Sequence, residues 1–228
     1  MKRFILTACA GLLAAAMASP SLAADMPRPA YPAYKAPLYV APFSWTGFYV
    51  GLNGGYGWGK SDWSPSTGGV GTGDFDIKGG LVGGTMGYNL QTGSWVWGLE
   101  GDFDASWIKG TETISCGIPG CETSNKWLAT ARGRLGYSWD RWLPFITGGA
   151  AFGNIKMDPG FGTTESQTKV GWTAGAGIEY AFMGAWSAKI EYLYVDLGTA
   201  TCGTPTCIPD FDVSFKTNLV RIGLNYRF

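Results

Sequence analysis

The chain has 228 residues, 36 glycines, no histidine, and 17 basic against 17 acidic side chains. The missing histidine removes the Ser–His arrangement of hydrolases and acyltransferases, and zero net charge removes the basic footprint that nucleic acid demands. Aromatic residues at 15% beside charged residues at only 15% fit a chain with much apolar surface to shield from water.

Met1-Lys2-Arg3 is a short basic segment, Phe4 to Ala18 is apolar and small, and Ser21-Leu22-Ala23 fits a small-x-small cleavage site. The pattern predicts a signal peptide over residues 1–23, discarded with Cys9. Lys2 and Arg3 leave with it and no acid does, so the mature charge is −2. Residues 24–44 hold five prolines, which predicts an extended periplasmic linker. A PxxP-type docking motif is the alternative.

From residue 45 the chain alternates apolar and polar side chains with period two, the signature of strands. The first strand is expected from Trp45 to Gly59, with Phe48, Val50, Leu52, Tyr56 and Trp58 on one face. Lys60 to Asp74 is expected as a loop, and a second strand from about Asp76 to Asn89 has faces blurred by glycine. The third strand, Trp95 to Trp107, sets Trp95, Trp97, Leu99, Phe103 and Trp107 against Glu100, Asp102 and Asp104. The fourth, Lys126 to Trp139, sets Trp127, Ala129, Ala131, Leu135 and Tyr137 outward, and Lys126, Thr130, Arg132 and Arg134 inward. A hairpin symmetric about residue 117 would place Asp102 opposite Arg132 and Glu100 opposite Arg134.

The fifth strand runs from about Leu143 to Ile155 and is glycine-rich, with faces left open. The sixth, Thr168 to Phe182, turns Val170, Trp172, Ile178, Tyr180 and Phe182 outward and Glu179 inward. The seventh, Trp186 to Val195, turns Trp186, Ile190, Tyr192 and Tyr194 outward and Lys189 and Glu191 inward. After a loop from Asp196 to Asp212, the last strand carries Val220, Ile222, Leu224, Tyr226 and Phe228 on one face and Arg221 on the other.

Gly79 to Leu99 carries no charge over 21 residues, but its seven glycines and the Asn89–Ser94 break make it two strands and a turn. A chain with no membrane helix that must still cross lipid does so as a closed barrel. The fold expected is an all-β, eight-stranded antiparallel transmembrane β-barrel over residues 45–228. Its turns at Asn89–Ser94, Asp140–Trp142 and Met183–Ala185 are short, and four loops of roughly twelve to seventeen residues separate the other pairs, matching periplasmic turns and extracellular loops. Trp95, Trp107, Trp127, Trp172 and Trp186 are expected in aromatic girdles. Glu100, Asp102, Asp104, Arg132, Arg134, Glu179, Lys189, Glu191 and Arg221 are expected to pair in the lumen, because ions at membrane depth persist only when paired and turned inward.

Four segments, W-T-G-F-Y-V-G (Trp45–Gly51), G-Y-N (Gly87–Asn89), E-Y-L-Y-V-D-L-G (Glu191–Gly198) and R-I-G-L-N-Y-R-F (Arg221–Phe228), lie in an order and spacing that resembles the small OmpA/OmpX-like barrels. Within that class the chain is similar to the opacity-type "outer membrane immunogenic protein" or "porin family" group. The resemblance implies an outer-membrane location, a surface antigen or host-contact role, and recognition of Ile222, Leu224, Tyr226 and Phe228 by the outer-membrane assembly machinery. Expected partners are outer-membrane lipid and lipopolysaccharide, with no nucleic acid, no cofactor, no named surface ligand and a monomeric state.

Cys116 and Cys121 in C-G-I-P-G-C, and Cys202 and Cys207 in C-G-T-P-T-C, share one spacing around a turn-forming centre. In an oxidising compartment this predicts two local disulfides, Cys116–Cys121 and Cys202–Cys207. Pairing across the two segments is the alternative, and a four-cysteine zinc site suits the loose spacing less well. The expected role is non-enzymatic: a structural, surface-exposed envelope protein. The alternative is a narrow or gated channel for small solutes, against which stands the tight interior of an eight-stranded barrel. A soluble lipocalin-like carrier would need an apolar interior where the pattern places charge.

Overall fold

A computed structural model describes residues 43–65, 73–112, 121–158, 164–202 and 211–228. Eight strands follow in order: β1 (Gly47–Pro65), β2 (Phe75–Thr92), β3 (Trp95–Glu112), β4 (Cys121–Tyr137), β5 (Trp142–Asp158), β6 (Glu165–Met183), β7 (Trp186–Cys202) and β8 (Phe211–Arg227). Each pairs antiparallel with the next, and β8 pairs back onto β1, so the barrel is closed. Closure leaves no open sheet edge, the condition for placing a sheet in hydrocarbon.

Three tight connections share one end of the barrel: Gly93–Ser94, the segment Ser138–Arg141, and Gly184–Ala185. Gly93 at φ 63° and Gly184 at φ 53° take the left-handed conformation these reversals need. The other strand ends lead into 66–72, 113–120, 159–163 and 203–210, outside the described residues, as are 1–42 with the expected signal peptide and most of the expected linker.

The face assignments hold through the half of the barrel nearer the tight turns. Phe48, Leu52, Leu99, Phe103, Val170, Trp172, Ile190 and Ile222 are exposed on the outer face, while Glu100, Asp102, Arg132, Lys189 and Arg221 are buried. The two strands whose faces glycine obscured follow the same rule. β2 sends Leu81, Thr85 and Asn89 inward, and β5 sends Leu143, Phe145 and Thr147 inward.

The strands are longer than the alternation indicated. At 17 to 19 residues they exceed the roughly 9 to 11 that cross a bilayer. Much of Lys60–Asp74, Lys156–Gln167 and Asp196–Asp212, expected as loop, is strand. The cause is a reversal of phase. Past Trp58, Trp107 and Phe152 the outer face meets water and becomes polar, while the inner face becomes apolar, with Trp63, Phe75, Ile77, Ile108, Ile155, Met157, Val213 and Phe215 all buried. Those stretches are rich in Ser, Thr, Asp and Lys, so their composition resembles loop although their periodicity is that of an ordinary soluble strand.

β4 also departs from simple alternation. The register shifts between Ala105 and Ile108 in its pairing with β3, and between Asn125 and Leu128 in its pairing with β5. Asn125 and Leu128 both point inward, so Lys126, expected in the lumen, is exposed on the outer face. A bulge redirects a side chain in this way.

Candidate functional site

The lumen is stratified. Nearest the tight turns, Trp45, Val96, Leu143 and Ala181 form a small apolar cluster with Phe43 packed against it. Trp45 is not the first residue of a lipid-facing strand. It is 2% exposed and tucks under the barrel, its indole donating to the Asp140 carbonyl at 3.3 Å. Toward the opposite end a larger apolar cluster fills the interior, from Leu81, Leu128, Leu193 and Leu219 out to Trp63, Phe215 and Met157.

Between the two clusters lies a belt holding all nine predicted lumen ions. Arg132 is its hub: Nη2 donates to Glu100 Oε1 at 2.5 Å and to Asp102 Oδ2 at 2.7 Å, and Nη1 donates to Glu191 Oε2 at 3.0 Å. Arg221 is a second hub, donating to Asp102 Oδ1 at 2.8 Å, Asp104 Oδ2 at 2.6 Å and Glu191 Oε1 at 2.8 Å. Lys189 Nζ donates to Glu100 Oε2 at 2.9 Å and lies 3.3 Å from Glu191 Oε1. Arg134 bonds Glu179, and its guanidinium lies 3.8 Å from the Phe145 ring centroid. The ring covers a guanidinium whose Nε and Nη1 find no hydrogen-bond partner among the described residues, a cation–π arrangement that offsets part of that loss.

The predicted pairing is corrected in register. Glu100, not Asp102, is the cross-strand partner of Arg132, and Gly98 is that of Arg134. The slip is two residues, which keeps each side chain on its face; a slip of one would have turned the tryptophans into the lumen. Arg132 still reaches Asp102, while Arg134 lies 3.8 Å from Glu100 and bonds Glu179 on β6 instead.

Neutral partners that sequence reasoning missed complete the belt. Tyr49 donates to Glu100 Oε2 at 2.7 Å, Thr130 to Asp102 Oδ2 at 2.6 Å, Ser187 to Glu179 Oε1 at 2.5 Å, and Asn225 to the same Glu179 oxygen at 2.9 Å. Their inward parity was the available signal. A buried carboxylate has up to four lone-pair sites to fill, which predicts such donors on its face.

On the outer surface, Trp95, Trp107, Trp172 and Trp186 are exposed, and Trp127 is half-buried, stacked on Phe103 at 5.8 Å. Trp95 pairs with Tyr137, and Trp186 with Tyr226, beside the tight turns, whereas Trp172 pairs with Tyr194 farther up. Ile222, Leu224, Tyr226 and Phe228 are exposed on the same outer face. Of the cysteines, Cys121 begins β4 and Cys202 ends β7, so both are strand residues rather than loop residues. Cys116 and Cys207 lie outside the described residues. Among the described residues no cluster of His, Cys, Asp or Glu could hold a metal ion.

A closed barrel with a lipid-facing apolar band and an ion-paired lumen restricts the kinship, and the outer membrane protein β-barrel domain matches residues 7–228. The chain belongs to that family. It is 40% identical over 243 residues to the 31 kDa outer-membrane immunogenic protein of Brucella melitensis, covering 95% of this chain and 97% of the relative. It is 33% identical over 199 residues to the 25 kDa outer-membrane immunogenic protein of Brucella abortus, covering 86% of each. Among solved structures, Neisserial surface protein A aligns over 80% of this chain and 98% of its own with TM-score 0.48 and 16% identity. The family member described here is an outer-membrane protein.

Proposed function

We propose that this barrel is a non-enzymatic envelope protein that anchors in the outer membrane and presents the segments opposite its tight turns to the outside, as a surface antigen or contact surface. The observation that carries this reading is the filled lumen. Nine charged side chains, each nearly or fully buried, are spent on one another between two apolar clusters. A catalytic group needs access to a substrate, and a pore needs water; neither is provided by this interior.

The immunogenic relatives support surface exposure of the long-connection end. The small-residue cleavage site supports removal of residues 1–23, and the exposed terminal aromatic face supports recognition of β8 by the assembly machinery. An antibody or protease that reaches residues 66–72 or 203–210 on intact cells tests the orientation. A deletion strain with undiminished resistance to detergent would reduce the structural part of the role to a dispensable one.

A further inference from the structure

Where the outer face changes from apolar to polar, Lys60, Lys78, Lys109, Lys126, Lys156 and Lys216 lie on β1, β2, β3, β4, β5 and β8, interleaved with acids such as Asp76, Glu122, Asp158 and Asp196. They are not equivalent. Lys60 pairs with Asp74 at 3.2 Å and has Asp76 as its cross-strand partner, and Lys216 has Asp196 as its own. Lys60 and Lys216 also face each other, across β1 and β8, but each has an acid on its other side; Lys78 and Lys109, which face each other across β2 and β3, have Trp58 and Ser124 there instead. Like charges directly opposed are destabilising, and neither Lys78 nor Lys109 makes an ion pair among the described residues. Lys126 is added on the next strand by the register shift that turns it outward. Three exposed lysines thus lie on three adjacent strands, with Thr111 and Ser124 beside them on the outer face and Asp76 and Glu122 farther from the tight turns.

The depth of this patch identifies its partner. Trp58 is the cross-strand neighbour of Lys78, and Trp107 and Trp127 lie next along β3 and β4. Tryptophans mark the plane where hydrocarbon gives way to headgroups. We propose that Lys78, Lys109 and Lys126 form a binding site for the phosphates of a multiply phosphorylated lipid headgroup, with the acyl chains lying on the apolar band below. Three cations match a headgroup bearing two phosphates better than one bearing a single phosphate. That the lipid belongs to the outer leaflet rests on the orientation under Proposed function, which surface labelling on cells tests separately.

The test uses the full barrel in neutral detergent, folding being checked by its heat-dependent shift on gels. Native mass spectrometry then follows retention of a bisphosphorylated diglucosamine lipid. Three basic residues at a charged interface predict that Lys78→Gln/Lys109→Gln/Lys126→Gln weakens retention about a hundred-fold. Lys60→Gln/Lys216→Gln should stay near wild type, and the dephosphorylated lipid should bind the wild type no better than the triple variant binds the phosphorylated one. Equal retention by a folded triple variant, equal loss in the control pair, or equal binding of the dephosphorylated lipid overturns the site. Displacement of the lipid by equimolar inorganic phosphate would overturn the assignment to a lipid as well.

Discussion

At the residue scale the belt has an internal asymmetry. Five carboxylates, Glu100, Asp102, Asp104, Glu179 and Glu191, meet four cations, Arg132, Arg134, Lys189 and Arg221. Asp104 is the carboxylate least engaged: Oδ2 accepts from Arg221, but Oδ1 has no hydrogen-bond partner within normal geometry among the described residues. Removing a hub and removing this carboxylate should therefore differ sharply. Arg132→Met takes one cation from each of Glu100, Asp102 and Glu191 at once, and loss of one partner from a buried pair costs about 3 to 5 kcal/mol. Asp104→Asn keeps the shape and leaves Arg221 with Asp102 and Glu191, so its cost should be well below that of Arg132→Met. Urea unfolding in lipid vesicles, read by tryptophan fluorescence, gives both values, and equal losses would show that the belt does not act through Arg132. Membership of this belt was legible because parity alone puts an ion in or out. Partners were not, since a shift of two residues preserves parity and moves Arg132 from Asp102 to Glu100.

At the element scale, parity makes neighbouring glycines opposites. A Cβ on Gly83 would lie 2.1 Å from Asp104 Oδ1 and 2.2 Å from the Phe103 carbonyl oxygen, whereas one on Gly84 would meet nothing nearer than the Gly51 carbonyl oxygen at 3.7 Å. Gly83→Val should abolish the heat-modifiable folded band, and Gly84→Val, which adds apolar surface toward lipid, should retain it. Strand ends were the least legible part. Trp63 in β1 and Met157 in β5 are strand residues among polar neighbours, and only an alternation allowed to invert where lipid ends would have included them. The cysteines flank these inverted segments. Non-reduced peptide mapping is expected to find Cys116–Cys121 and Cys202–Cys207, and breaking either small loop should cost on the order of 2 kcal/mol. A Cys116–Cys202 or Cys116–Cys207 peptide would overturn the local pairing.

At the scale of the whole molecule, the interior places two seals in series. Behind the small apolar cluster of Trp45, Val96, Leu143 and Ala181, ions crossing from the tight-turn end would meet the belt, where Arg221 and Lys189 are 0% exposed in their side chains. They would then meet Leu128, Leu193 and Leu219, and behind these Phe215, Met157 and Trp63, all buried. The alternating pattern placed nine ions in the lumen and named no apolar layer there; the apolar half follows from the strands continuing beyond the lipid, where inward apolar residues bury as they do in soluble proteins. The arrangement predicts how the barrel behaves in planar bilayers. The wild type should give no steady openings. Arg221→Ala should loosen the belt and lower stability, yet the current should remain at baseline, because the apolar seal is untouched. Steady conductance from the wild type would contradict a filled interior, and conductance gained by Arg221→Ala alone would show that the belt, not the apolar cluster, is the barrier.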